Sequence, residues 1–104
     1  MDKYTIDGFN IKSGRKDLWF HPSSDDEFSS MTLTVISARI KPNTLNKIIK
    51  KAYDSSVVSV VIELDGNVIS FNGFIERIEC TGRKTYMTIR SSGEITTKED
   101  ANNG

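Results

Sequence analysis

The sequence predicts a mainly β protein, an antiparallel β-barrel or sandwich, with one flanking α-helix at about residues 44–53. Two observations support this fold class. Isoleucine and valine together number 18 of the 104 residues, whereas leucine and alanine together number only 7. Side chains branched at Cβ lose rotamer freedom in helices and pack well on pleated surfaces, so this balance favours strands. Apolar and polar residues also alternate along several segments, which is typical of half-buried strands.

The alternation predicts six strands, which are expected over residues 4–6, 18–20, 31–40, 57–64, 68–80 and 85–90. In the third of these segments the apolar side chains change from one face to the other near Val35 and Ile36. This change predicts either a bulge that redirects the strand or a strand that is covered on both faces.

Turn residues connect the last three strands into a predicted antiparallel meander. Asp65-Gly66 suits a tight hairpin, because both residues tolerate positive φ. Asn72-Gly73 lies where the apolar phase of residues 68–80 changes, so a bulge or kink is expected there.

One amphipathic helix is predicted between the third and fourth strands. Its apolar residues fall at the spacing i, i+3, i+4, i+7 and i+8 of a single helical stripe: Leu45, Ile48, Ile49, Ala52 and Tyr53. Pro42 ends the preceding strand because it has no amide proton, and Asn43 or Thr44 is expected to cap the helix. A helix of about three turns is too short to be stable alone, so it must dock on the sheet.

The chain is expected to form one domain. Its length allows a single core of modest size, which we place over residues 1–97. Residues 98–104 contain only one small apolar side chain, Ala101, so this segment is predicted to be a flexible tail.

Composition argues against several classes of function. No apolar run approaches the roughly 20 residues of a membrane span, and no signal-peptide pattern is recognised, so no membrane partner is expected. A single cysteine, Cys80, excludes an internal disulfide and a zinc site built on several thiolates. His21 is the only imidazole, and the adjacent acids Asp25, Asp26 and Glu27 lack the spacing of a calcium loop. We therefore expect no enzyme, no catalytic residue, no metal ligand and no cofactor.

A cluster of positive charge is the first candidate functional feature. The chain has 14 basic and 14 acidic residues, yet residues 39–51 contain five cations and no acid: Arg39, Lys41, Lys47, Lys50 and Lys51. These cations could contact the phosphates of a nucleic acid or an acidic protein. The alternative is the solvated side of an amphipathic helix, and the absence of aromatic residues among the cations favours it.

An aromatic cluster is the second candidate feature. Trp19 and Phe20 precede His21 and a polar stretch at residues 22–27. Such a cluster is usually the edge of a core, and it is otherwise an anchor in an interface, where tryptophan is enriched.

The order of these elements resembles the later part of bacteriophage major tail tube proteins. Those proteins often contain a hairpin of the form D-G-x-x-x-x-F-x-G and a later strand that ends in a Ser-Gly-Glu-like segment. The matching positions here are Asp65, Gly66, Phe71, Gly73 and Ser92-Gly93-Glu94, within residues 31–97. The resemblance implies a β-barrel or sandwich with one helix that assembles into stacked rings. The chain departs from the pattern in being short and in its first 30 residues.

Two functional hypotheses follow. The first is a self-assembling structural protein, a tail tube or a related tail or baseplate component, with copies of itself or other phage tail proteins as partners. The resemblance implies a location in the virion or the host cytoplasm. The second is a small β-barrel binding module or regulator that contacts nucleic acid or an acidic protein through its basic helix.

Overall fold

The computed structural model describes residues 2–21 and 30–99. In this part of the chain seven strands and one helix follow one another in the order β1 (Lys3–Ile6), β2 (Phe9–Asn10), β3 (Arg15–His21), β4 (Ser30–Ala38), α1 (Pro42–Tyr53), β5 (Val58–Leu64), β6 (Asn67–Thr81) and β7 (Lys84–Glu99). The predicted fold class is therefore confirmed, and β2 is the one strand that the alternation did not predict.

All seven strands form one antiparallel sheet in the order β2-β1-β5-β6-β7-β4-β3. The predicted meander is its centre, since β6 pairs with β5 and β7. The Asp65-Gly66 hairpin is confirmed, and its φ angles of 41° and 86° are the positive values that such a turn requires. Strand β1 adds to the outer side of β5, and β4 carries β3 at the opposite edge.

The sheet curls into a half-barrel around its apolar face. The clearest sign of the curl is a contact between strands near opposite edges, in which Lys16 Nζ of β3 lies 5.6 Å from the ring centroid of Tyr4 in β1. Burial lowers the pKa of Lys16. Burial, followed by the charges of Asp2 and Asp17, raises the pKa of Tyr4. Because Asp17 is also in β3, its influence on Tyr4 is a second sign that these two strands approach each other.

The inner face of the half-barrel holds the core. Every strand of the meander and β4 contribute buried side chains to it, among them Leu33, Ile62, Phe71 and Ile89. One polar side chain, Thr85, is buried with them. The alternation therefore identified the inner face of each of these strands correctly.

Three irregularities bend the sheet, and the structure revises where two of them lie. In β4 an extra residue between Val35 and Ala38 forms the predicted bulge, and Ser37 within it has φ 56°. The predicted irregularity at Asn72-Gly73 is present, but the additional residues belong to β7, where Ser92, Gly93 and Glu94 lie between the partners of Phe71 and Gly73.

The change of apolar phase in β6 occurs later than Asn72-Gly73. Glu76 is an extra residue between Ile75 and Arg77, and this bulge brings Ile78 to the inner face. A phase change at Asn72-Gly73 predicts that Phe74 shares the face of Ile78, but Phe74 lies before the bulge and is 37% exposed.

Helix α1 covers one end of the half-barrel. It packs against β6, and Ile48 is buried while Ala52 packs against the core. Part of the predicted stripe is wrong, because Ile49 is 37% and Tyr53 89% exposed. The helix meets only the end of the sheet, so a narrower stripe is buried than on a helix that lies along a sheet.

The helix starts two residues before the predicted position. Its N-cap residue is Lys41, no side chain caps it, and Pro42 is in the first turn. The prediction that Asn43 or Thr44 caps the helix is therefore wrong. Proline fits this position because its fixed φ is helical and the first amides of a helix have no partner within it.

Strand β7 extends further than its alternation predicted. It runs to Glu99, which pairs with Asn67, so residues 98 and 99 of the predicted tail belong to the sheet. The rest of that predicted tail, residues 100–104, lies outside the described residues.

We expect Gly73→Ala to lower the free energy of unfolding by about 1–3 kcal/mol, a typical cost of overpacking. A Cβ at this position would lie 3.0 Å from the Arg90 carbonyl carbon and 3.2 Å from Ile89 Cγ2. Asn72→Ala, at the exposed neighbouring position, is the control and should change stability by less than about 0.5 kcal/mol. Urea denaturation of both variants measures the difference, and equal stability would contradict the close approach of β6 and β7.

The contact between β1 and β3 predicts an alkaline loss of stability. The folded-state pKa of Tyr4 is raised. The contribution of Tyr4 to folding stability is therefore complete below its unfolded-state pKa of about 10, and it is lost as pH rises through its folded-state pKa. Tyr4→Phe removes this loss, so the variant should gain stability relative to the parent above about pH 10. Urea denaturation across pH 6–11 measures this difference. A constant difference between the two proteins over that range would contradict the burial of Tyr4.

Candidate functional site

Strand β3 forms an edge of the sheet that carries exposed aromatic residues. It pairs with β4 on one side, and no other described strand pairs with its second side. Trp19 is 60% and Phe20 55% exposed. As neighbours in a strand they point to opposite faces, so a strand added at this edge would meet an aromatic ring on each face. We call the exposed side of β3 with these two residues the aromatic edge.

Trp19 also begins a row of side chains across the outer face of the sheet. It lies opposite Thr32, which lies opposite Arg90, which in turn lies opposite Phe74. Residues directly opposite in neighbouring strands point to the same face, so the row has an aromatic residue at each end and a cation between them. Arg90 Nε is 3.7 Å from Glu76 Oε1. The ion pairs Arg15–Asp17 and Arg77–Glu79 add alternating charge to nearby strands.

The second surface lies around α1 and contains all five predicted cations. Three clefts, of about 470, 490 and 400 Å³, follow the helix. The first lies between the C-terminal half of α1 and the turn that joins β1 to β2, and it is lined by Lys47, Lys50 and Lys51 together with Asp7 and Asp54. The predicted helix lysines are therefore on one side of the molecule.

The other two clefts flank the start of α1 and contain no acid. One is formed with the loop after β2 and is lined by Lys12, Arg39 and Lys41. The other is formed with the turn between β6 and β7 and is lined by Arg39, Lys41, Arg83 and Lys84. We call the three clefts together the basic groove. Among the described residues, eight lysines and arginines line it, against two acids.

Three of these groove cations came from outside the predicted segment. Lys12 precedes β3, and Arg83 and Lys84 lie at the turn between β6 and β7. Isolated basic residues in turns carry no pattern that could have assigned them to the groove, because only the curl of the sheet brings those turns to the helix.

An aromatic ring lies where two of the clefts meet. Phe9 of β2 lines both the first cleft and the cleft beside Lys12. Lys47 Nζ lies 5.6 Å from its ring centroid, within the range of a cation–π contact. Along the sequence no aromatic residue lies among the cations of residues 39–51, because Phe9 is 38 positions from Lys47.

Asp7 holds the wall of the groove in place. Its Oδ1 accepts a hydrogen bond from the Ser59 amide at 2.7 Å, and its own amide donates to the Ser59 carbonyl at 2.8 Å. Its Oδ2 lies 3.6 Å from Lys51 Nζ. At the other end, the Arg39 amide donates to Ser13 Oγ at 2.7 Å, which ties the loop after β2 to the residue after β4. One wall of the groove is therefore attached to β5, and at the other end two of its loops are attached to each other.

The candidates for catalysis lie far apart. His21 is opposite Ser30 at the start of β4, and its Nε2 lies 3.2 Å from Thr32 Oγ1. Cys80 is opposite Thr85, whose other partner is Ala38 at the end of β4. The length of β4, about 25 Å at the usual rise per residue, separates the two side chains. Within residues 2–21 and 30–99, no group of three or more histidine, cysteine or acidic side chains is arranged to hold a metal ion.

The fold is a curled antiparallel sheet with one helix across its end. It carries two candidate surfaces, the aromatic edge and the basic groove. No protein-family model, curated protein or solved structure matches this chain. In the described part of the chain, α1 is the one helix, and it is neither long nor apolar enough to cross a membrane.

Two substitutions of Asp7 separate its roles. Asp7→Asn keeps an acceptor for the Ser59 amide and removes the charge opposite Lys51, so stability should fall by less than about 1 kcal/mol. Asp7→Ala also removes the acceptor and places alanine at φ 49°, so it should cost about 1–2 kcal/mol more. Urea denaturation measures both values, and an equal effect would show that the hydrogen bond to Ser59 contributes nothing.

Proposed function

We propose that the protein is a non-enzymatic structural module that assembles with copies of itself through the aromatic edge. The observation that supports this proposal is the presence of Trp19 and Phe20, both more than half exposed, on a strand that has only one partner among the described strands. A free strand edge is a template for another chain, and aromatic residues supply the buried area that makes such pairing stable. The outer row from Trp19 to Phe74 extends the apolar contact beyond the edge.

A second copy is the partner that fits this edge. The sheet is a half-barrel with β2 at one edge and β3 at the other, and a strand at an edge presents backbone donors and acceptors. Pairing of β3 with the β1–β2 edge of the next copy would continue the curl from copy to copy. A contact of this head-to-tail kind produces rings when the rotation closes. Pairing of β3 with the β3 of a second copy would instead stop at a two-fold dimer.

The placement in a phage tail rests on the resemblance to tail tube proteins. The matching residues lie at structural positions that shape the sheet: Asp65 and Gly66 in the central hairpin, Phe71 in the core, and Gly73 beside the bulge of β7. Ser92-Gly93-Glu94 forms that bulge. A tail tube, tail or baseplate component is the function that this resemblance favours, with other phage tail proteins as further partners.

The oligomeric state in solution tests the proposal. Light scattering over a wide range of protein concentration should show a mass above that of the 11.7 kDa monomer, and electron microscopy should show rings or tubes. The double variant Trp19→Lys/Phe20→Lys should be monomeric, because a charged residue on each face of an edge strand opposes pairing.

A matched control replaces two exposed apolar side chains away from the edge. Tyr53→Lys/Val57→Lys removes residues that are 89% and 46% exposed and adds the same charge. This variant should assemble like the parent. A parent protein that remains monomeric at every concentration would contradict the proposal, and equal loss of assembly in both variants would contradict the role of the aromatic edge.

A further inference from the structure

We propose that the basic groove binds a single-stranded nucleic acid, with the phosphates along its cations and a base stacked on Phe9. This binding site is separate from the aromatic edge. Trp19 is opposite Thr32 near the start of β4, whereas Arg39 follows the end of that strand. The two regions are about 20 Å apart at the usual rise per residue, so binding needs no residue of the aromatic edge.

The first argument is the distribution of charge. The chain has no net charge, yet eight cations and two acids of its described residues line the groove. Asp7 is paired with Lys51. At the start of α1 the clefts contain cations without any acid, including Arg39 and Lys41. A repulsive cluster of this kind costs stability unless an anion neutralises it, and a phosphate chain does so while it releases counterions.

The second argument is the shape of the groove. Its clefts follow α1, whose 12 residues span about 18 Å. This length accommodates a few nucleotides, in the range of site sizes known for small β-barrel modules. The cations lie on both walls, with Lys12 on the sheet side and Lys41 and Lys50 on the helix side. An extended strand with one charge per nucleotide can contact both walls.

The third argument is the position of Phe9. It lines two adjoining clefts, and Lys47 lies over its ring. Every base has a flat aromatic face, so a single ring in a basic groove is a stacking platform that tolerates any sequence. An acidic peptide has the charge but no aromatic base to stack, so Phe9 favours a nucleic acid over an acidic protein.

Fluorescence anisotropy with a labelled 20-nucleotide oligo(dT) tests the proposal. The parent should bind with an affinity that falls as salt rises. Lys41→Gln/Lys50→Gln should weaken binding by ~10-fold at 100 mM salt and reduce the salt slope by about 1.4, which corresponds to the loss of two phosphate contacts. Phe9→Leu should weaken binding by at least ~5-fold and leave the salt slope unchanged, because it removes stacking and no charge.

A matched control removes the same charge from the outer face. Lys3→Gln/Arg77→Gln should bind oligo(dT) like the parent, because neither residue lines the groove. The assembly variant Trp19→Lys/Phe20→Lys should also retain binding. No binding of oligo(dT) at 50 mM salt, an equal loss in the control, or tighter binding of a duplex or of polyglutamate than of oligo(dT) would overturn the proposal.

Discussion

The structure depends on how one sheet covers its own apolar face. The strands of the described chain all belong to a single sheet, so no second sheet buries Leu33, Val60 or Ile62. The sheet curls instead, with bulges in β4, β6 and β7 that increase its bend. Helix α1 then covers the open end. The curl also brings Lys16 of β3 against Tyr4 of β1, and burial in this contact shifts the pKa of each group toward its neutral form.

The same curl separates the two candidate surfaces. It leaves β3 as an edge with exposed aromatic residues, and it brings three turns to the helix, where their cations join those of residues 39–51. The aromatic edge offers backbone pairing and apolar area, which suit a second protein strand. The basic groove offers charge and one stacking ring, which suit a phosphate chain. The aromatic edge and the basic groove share no residue, so each can be tested by substitutions that leave the other intact.

Most of the fold was predictable because it depends on local patterns. Alternation identified the buried face of each long strand, and Asp65-Gly66 identified the central hairpin, because only a few residue pairs tolerate its φ angles. The errors lie where tertiary contacts decide. Strand β2 has two residues, and an alternation of apolar and polar residues cannot be recognised over so short a segment. Strand β7 continues beyond Arg90 because β6 offers a partner as far as Asn67. Phe74 faces outward because the phase of β6 changes at Glu76, and the extra residue there carries no signal in the sequence.

The candidate sites, like the fold, were predictable from the sequence only in part. By itself, the sequence determined that the protein is mainly β, that one helix follows the third predicted strand, and that residues 39–51 concentrate positive charge. These properties depend on residues that are neighbours along the chain, so the order of residue types is enough to predict them. Only the tertiary structure decided that Phe9 lies under Lys47 and that Lys12, Arg83 and Lys84 join the groove. It also decided that Trp19 and Phe20 lie on a strand with one partner among the described strands. Contacts between residues that are 30 or more positions apart depend on the strand order and the curl of the sheet. Both arise from the packing of the whole core rather than from any single segment.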